Sequence, residues 1–131
     1  MKISVIGLGY LGATHAVAMA QLGHNVIGIE PDQSRLQPLA RGNLPFFEPG
    51  LEDALKQAIS SGNISFQANH DDLSAASDIH FICVGTPQIS GQQSADTSYV
   101  FAAASQLAAV LKPSSLVVGK STVPVGTARN L

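Results

Sequence analysis

The sequence predicts an α/β domain built on a doubly wound, mostly parallel sheet, and three observations carry that prediction. Short apolar runs alternate with stretches of helical periodicity along the whole chain. Their connections are short, and a βαβαβ succession of this kind requires parallel strands joined by right-handed crossovers. Finally, Gly7-Leu8-Gly9-Tyr10-Leu11-Gly12 follows the first apolar run directly, and Glu30 closes the second about twenty residues further on.

Taken in order, Lys2 to Ile6 is the first strand and Tyr10 to Leu22 the first helix, with Leu11, Val17, Ala18 and Leu22 expected on its buried face. Gly23-His24-Asn25 stops that helix and returns the chain to a second strand, Val26 to Ile29. Gln33 to Arg41 is a short helix entered from Pro31-Asp32. The loop from Gly42 to Gly50 is too apolar and proline-rich for an idle linker. Pro49 is expected to open the next helix at its first position, with Leu51, Leu55 and Ile59 as the buried stripe. Ile64 to Gln67 is the third strand and Asp71 to Ala76 a brief helix. Asp78 to Val84 is the fourth strand, with the nearly continuous apolar run of a buried parallel strand. A polar loop, Gly91 to Ala95, expected to be mobile, leads to a helix from Thr97 to Leu111. Leu116 to Gly119 is the fifth strand, and Ser121 to Thr127 begins another loop-to-helix turn.

Composition suits a single domain with a real core. The 131 residues are 45% hydrophobic and only 12% charged, as befits a sheet covered on both faces. A net charge of −2 without any Lys/Arg cluster argues against nucleic acid or an anionic membrane as partner. Met1 leads straight into the first strand, with no signal-peptide pattern and no apolar run long enough to span a membrane, so a cytoplasmic protein is expected. One cysteine excludes an intrachain disulfide and a Cys-rich zinc site, and the four histidines lack metal-ligand spacing, so no metal is expected. His24 fits a turn; His15 and His70 fit exposed positions.

Strand, glycine loop, helix, second strand and terminal carboxylate together form the dinucleotide fingerprint of a Rossmann-type fold. Gly7 permits the tight turn, Gly9 lets the backbone approach a pyrophosphate, and Gly12 lets the helix pack close to the sheet. The helix start offers unpaired N–H groups and the positive end of its dipole to the phosphates. Glu30 can accept the hydroxyls of the adenosine ribose. A 2′-phosphate there would meet a repulsion of about 4 kcal/mol at 4 Å for an effective dielectric near 20, which favours NAD over NADP. The alternative is an ordinary strand-to-helix turn with a solvated strand end.

In such sheets ligands sit at the carboxyl ends of the strands. That rule also selects Val84-Gly85-Thr86-Pro87-Gln88 and Lys120-Ser121-Thr122-Val123-Pro124-Val125-Gly126-Thr127. Each places a small residue and a Thr hydroxyl just after a buried strand. They either close over a cofactor or are plain turns with Pro and Gly as punctuation and Thr as a local cap.

The glycine loop, Glu48-Pro49-Gly50-Leu51, Val84-Gly85-Thr86-Pro87 and Ser121-Thr122-Val123-Pro124-Val125-Gly126-Thr127, in this order and spacing, resemble the amino-terminal domain of the UDP-glucose/GDP-mannose 6-dehydrogenase family. The resemblance covers the whole chain. It implies an NAD-dependent oxidoreductase that oxidises the 6-hydroxyl of a nucleotide sugar to a carboxylate, as in UDP-glucose to UDP-glucuronate for polysaccharide biosynthesis, using two NAD per turnover. It also implies a homo-oligomer at full length. By position, Gly7, Leu8, Gly9, Tyr10, Leu11 and Gly12 would bind the pyrophosphate and Glu30 the ribose. Arg35 would lie beside the adenosine, Val84, Gly85, Thr86, Pro87 and Gln88 would line the cofactor, and Ser121, Thr122 and Val123 would sit near the nicotinamide. Glu30 stands where Asp is common in the family, and its longer side chain should still reach.

The resemblance also says what is missing. The family's nucleophilic thiolate, a lysine and the sugar-binding residues lie in later segments, on a linking helix and in a second domain. The chain is therefore expected to be a carboxyl-terminally truncated NAD-binding domain, residues 1–131, inactive by itself. Cys83 sits in the apolar run Ile79-His80-Phe81-Ile82, where a free cysteine is a core hydrophobe with a raised pKa. Thr122 is the one catalytic candidate: its hydroxyl would orient a water or the reacting group, or would merely cap a helix. Other readings are a stand-alone NAD-binding module without catalysis, and a domain of the 3-hydroxyacid or 6-phosphogluconate dehydrogenase type. The Ser-Thr-Val-Pro-Val-Gly-Thr segment speaks against the last.

Overall fold

A computed structural model of the chain describes residues 1–131, the side chain of Leu73 excepted. Its elements run β1 (Lys2–Ile6), α1 (Tyr10–Gln21), β2 (Asn25–Ile29), α2 (Gln33–Ala40), α3 (Leu51–Ser60), β3 (Ile64–Gln67), α4 (Asp72–Ala75), β4 (Ile79–Ile82), α5 (Ser98–Ala108), β5 (Leu116–Gly119) and α6 (Thr127–Asn130). The strands form one five-stranded sheet in the order β3-β2-β1-β4-β5. Every pairing is parallel, so the doubly wound sheet is as expected. The order reverses between β1 and β4, which opens a crevice at their carboxyl ends.

Alternation along the strands divides the core into two layers. Ile3, Val5 and Val26 join residues of α1 and α3 and Leu39 of α2 in one cluster, in which Leu39 and Leu55 are fully buried. Ile6, Ile29 and Ile82 point the other way, onto Val100, Ala103 and Leu107 of α5.

Several local expectations need correction. Of the stripe assigned to α1, only Val17 is in the core; Leu11 and Leu22 are 45% and 68% exposed, and Ala18 is half-buried. The face that meets the sheet is instead Gly12, Ala13, Ala16, Val17 and Ala20. Close approach selects small residues there: a Cβ on Gly12 would lie 1.8 Å from the Gly7 carbonyl oxygen and 3.1 Å from Cys83 Cβ. Pro49 does not open α3. Gly50 does so as its N-cap, in the left-handed region at φ 77°, and the helix begins at Leu51. Leu55 lies in the core as expected, with Leu51 and Ile59 packed against it. The loop around Gly91 closes on itself through a bridge between Gln88 and Ala95.

The fourth strand holds a polar pair within its apolar run. His80 is fully buried, and its Nδ1 lies 2.6 Å from Oγ of the equally buried Ser4, its register partner on β1. His70 and His15 are half-buried rather than exposed. His15 is set edge-on to Phe81, with ring centroids 4.4 Å apart. Burial lowers the pKa of all three imidazoles, with Lys120 adding to the effect at His15 and His70 at His80, while Asp71 opposes it at His70. Among the described residues no helix is long and apolar enough to cross a membrane.

Candidate functional site

The carboxyl ends of the central strands are tied into one tier by backbone bonds that continue the ladders. Gly7 N–H donates to Ile29 O, Cys83 N–H to Ile6 O and Lys120 N–H to Ile82 O, at 2.8, 2.8 and 2.9 Å. Above this tier lies a cleft of about 910 Å³.

The glycine loop forms one wall. Gly7 has φ 87°, and a Cβ there would lie 2.9 Å from the Val84 backbone. Gly9 is the N-cap of α1; no side chain caps this end, and its first turn holds no acidic residue. A Cβ on Gly9 would meet nothing within 4 Å, so the backbone faces open space at the mouth of the cleft. An uncapped helix start with a bare approach fits an anion held by backbone N–H groups.

Glu30 is only 5% exposed, yet its carboxylate lies on the cleft wall. Its Oε2 accepts from Leu8 N–H at 2.9 Å and its Oε1 from Asp32 N–H at 3.1 Å. The longer glutamate side chain thus reaches back across the glycine loop and fastens it. Each oxygen keeps a second lone pair for a ribose hydroxyl. Arg35 stands at the same end, Nε 3.6 Å from Asp32 Oδ2 and about half exposed.

The opposite wall comes from the turns after β4 and β5. Thr86 Oγ1 and Thr122 Oγ1 lie 3.2 Å apart, joining the two turns. The Ser121 hydroxyl donates to Val84 O at 2.7 Å, so it ties the turns together instead of facing a ligand. Cys83 lines the floor but is 6% exposed, and burial pushes its thiol up to about 11, with Lys120 opposing. A thiol in that state is a core hydrophobe. Among the described residues no cluster of His, Cys, Asp and Glu could hold a metal ion.

The cleft gathers Gly7, Gly9, Tyr10, Leu11, Glu30 and Arg35 on one side and Val84 to Pro87 with Ser121 and Thr122 on the other. Other sequence candidates stand apart from it. Leu8 is fully buried in the core and its amide is taken by Glu30. Gly12 lies beneath the loop, and Val123 packs on the α5 layer. Gln88 belongs to the neighbouring hairpin loop. Sequence reasoning misses the α5 wall, made by Tyr99, Ala102, Ala103 and Gln106. Tyr99 and Gln106 are two helical turns apart, and the alanines between them leave room. That spacing is visible in the sequence but says nothing about which face of the helix meets the cleft.

Over residues 1–131 the chain matches the family model described as UDP-glucose/GDP-mannose dehydrogenase family, NAD binding domain. It is 45% identical over 127 residues to the UDP-glucose 6-dehydrogenase of Rhizobium meliloti, a match covering 97% of this chain and 29% of that protein. A solved UDP-glucose dehydrogenase from Pyrobaculum islandicum has a TM-score of 0.88 at 46% identity, over 96% of this chain and 30% of the other. A GDP-mannose dehydrogenase from Pseudomonas aeruginosa, solved as a ternary complex, has a TM-score of 0.92 at 34% identity, over 99% and 30%. The chain spans less than a third of the length of each of these relatives.

Proposed function

This chain belongs to the UDP-glucose/GDP-mannose dehydrogenase family, whose NAD-binding domain it forms, and from that premise we propose that it is the cofactor-binding part of a nucleotide-sugar 6-dehydrogenase acting on UDP-glucose. The observation that carries this reading is the uncapped start of α1, open at Gly9, beside the buried carboxylate of Glu30 in one cleft. The choice of UDP-glucose is supported by the Rhizobium meliloti and Pyrobaculum islandicum relatives and their 45% and 46% identities.

NAD, when bound, supplies the hydride acceptor for oxidation of the sugar's 6-hydroxyl, two molecules being consumed on the way to the carboxylate. Around it the residues divide the work. The amides of the α1 first turn would hold the pyrophosphate, and Glu30, which keeps the glycine loop in place through Leu8, would accept from the adenosine ribose. Arg35 flanks the adenosine. Val84 to Pro87 would line the cofactor, and Thr122, held against Thr86, would stand near its nicotinamide end, where its hydroxyl could orient a water or the reacting group. None of these groups is a thiolate, and the chain's one thiol is buried and protonated at neutral pH. The 131-residue chain by itself therefore binds NAD without turning over UDP-glucose.

Calorimetric titration with NAD tests the binding, and NADH absorbance in the presence of UDP-glucose tests the chemistry. Absence of NAD binding sinks the reading. Turnover that disappears in Cys83→Ser would overturn the placement of Cys83 as an inert core residue. Turnover that survives would show that the chemistry needs nothing beyond these residues.

A further inference from the structure

The Glu48-Pro49-Gly50-Leu51 motif lines no part of the cleft, yet the loop that carries it is held at several points. After α2 the chain passes through Gly42, where a Cβ would come within 2.9 Å of Lys56 Cγ on α3. Leu44 and Phe46 turn inward onto the α1-side core. At the far end the Glu48 carbonyl accepts from Leu51 N–H at 3.2 Å, and the left-handed Gly50 starts α3. Glu48 is thus fixed from both sides, and its carboxylate points back to the glycine loop. The Tyr10 hydroxyl donates to Glu48 Oε2 at 2.5 Å, and the Tyr10 ring lies 4.8 Å from Phe46, tilted by 57°.

Tyr10 is the first residue of α1, the turn whose amides face the cleft, and it is itself a cleft residue. It is 56% exposed, and its ring and hydroxyl are steadied by Phe46 and Glu48. Without them a surface tyrosine would rotate freely and the helix start would have no tie on this side. We propose that Glu48 is a positioning residue for dinucleotide binding: through Tyr10 it holds the first turn of α1 in the orientation that receives the pyrophosphate. The inference rests on the reading of the cleft as an NAD site.

The chemistry of the latch sets a pattern that distinguishes it from a charge effect or a purely structural one. An acceptor is what the Tyr10 hydroxyl needs, and the amide oxygen of glutamine supplies one; the negative charge beside an anion site is a handicap that glutamine removes. NAD affinity is measured by calorimetry and folding by thermal melting for Y10F, E48A, the double variant and E48Q. Y10F and E48A should each weaken NAD binding on the order of fivefold, the scale of one solvent-exposed hydrogen bond to a charged group. The double variant should be no weaker than either single one, because both remove the same contact. E48Q should keep the affinity or raise it.

Additive losses in the double variant, or losses confined to the melting midpoint with the NAD Kd unchanged, would overturn the latch. E48A and E48Q that both tighten binding would mean that Glu48 acts through its charge alone. A wild-type chain that does not bind NAD overturns the cofactor reading and the latch with it, whereas wild-type binding with equal Kd in every variant overturns the latch alone. If Y10F fails to fold, the contrast between E48A and E48Q decides the matter.

Discussion

β1 and β5 are both short, apolar, parallel strands, and they end in opposite environments. From Ile3 to Ile6, β1 is at most 4% exposed, with β2 and β4 on its two edges and helices on both faces. β5 pairs with β4 alone, and its Leu116 and Val117 are 56% and 39% exposed. A Leu-Val-Val run encodes a strand in either place; whether it becomes core depends on what lies over it. The cleft spans both regions, with the glycine loop and Glu30 on the closed side and the Thr122 turn on the open one. This contrast predicts how substitutions on the two sides should differ.

The largest contrast is in folding free energy. Ile3→Ala should cost about 3 kcal/mol through lost burial and a residual cavity, whereas Leu116→Ala should stay within about 0.5 kcal/mol. Urea unfolding measures both, and equal costs would mean that β5 is covered in solution.

Within the closed region two glycines of one motif should fail in different assays. Gly12→Ala places a Cβ against the Gly7 carbonyl and should destabilise the fold by about 3 kcal/mol. Gly9→Val meets open space, so the melting midpoint should hold while NAD binding is lost. A Gly9 variant with normal NAD affinity would reduce the loop to a turn.

Cofactor choice compares the two walls of the cleft. NAD should bind at least tenfold more tightly than NADP, a difference of about 1.4 kcal/mol, because a 2′-phosphate would face Glu30. Glu30→Gln should narrow that ratio. Thr122→Val, on the open side, should weaken NAD by about fivefold, the net worth of one hydrogen bond, without changing the ratio. A Glu30 variant that keeps the ratio would move the selectivity to Arg35.

The smallest effect is an acid sensitivity of the closed region. Burial holds His15, His70 and His80 below the ordinary value of 6.5 in the folded chain. Below pH 6.5 the unfolded chain therefore binds more protons than the folded one, so stability should fall as pH drops through that window and level off above it. Melting scans from about pH 8 to about pH 5 show the slope, and His80→Gln, which keeps a partner for Ser4, should flatten it. A wild-type midpoint independent of pH would remove the effect.

Much of the fold is legible in the chain of residues. Apolar runs and helical periodicity locate the five strands and the longer helices, with ends off by up to three residues, as for α5, which is Ser98–Ala108 and not Thr97 to Leu111. The cleft candidates cluster well because the ends of parallel strands converge by topology. Sequence and structure part where a residue's environment comes from elsewhere in the chain. Leu11 and Leu22, the leucines at the two ends of α1, stay off the sheet-facing side, where only small residues allow the helix so near Gly7 and Cys83. Pro49 fits a helix start by type, but the left-handed backbone at Gly50 delays it.

The sequence by itself determined what acts over a few residues or repeats along the chain: the positive φ at Gly7, the alternation of strands, the carboxylate at the end of the second strand, and the motifs that identify the family. Tertiary structure decided what depends on distant partners. Ser4 meets His80 across 76 residues, and Tyr10 meets Glu48 across 38. Glu30 becomes a clamp on Leu8 as well as a carboxylate at a strand end, and β1 is enclosed between β2 and β4. Backbone conformation answers to local sterics and spacing, whereas burial and hydrogen-bond partners exist only once remote segments are packed together.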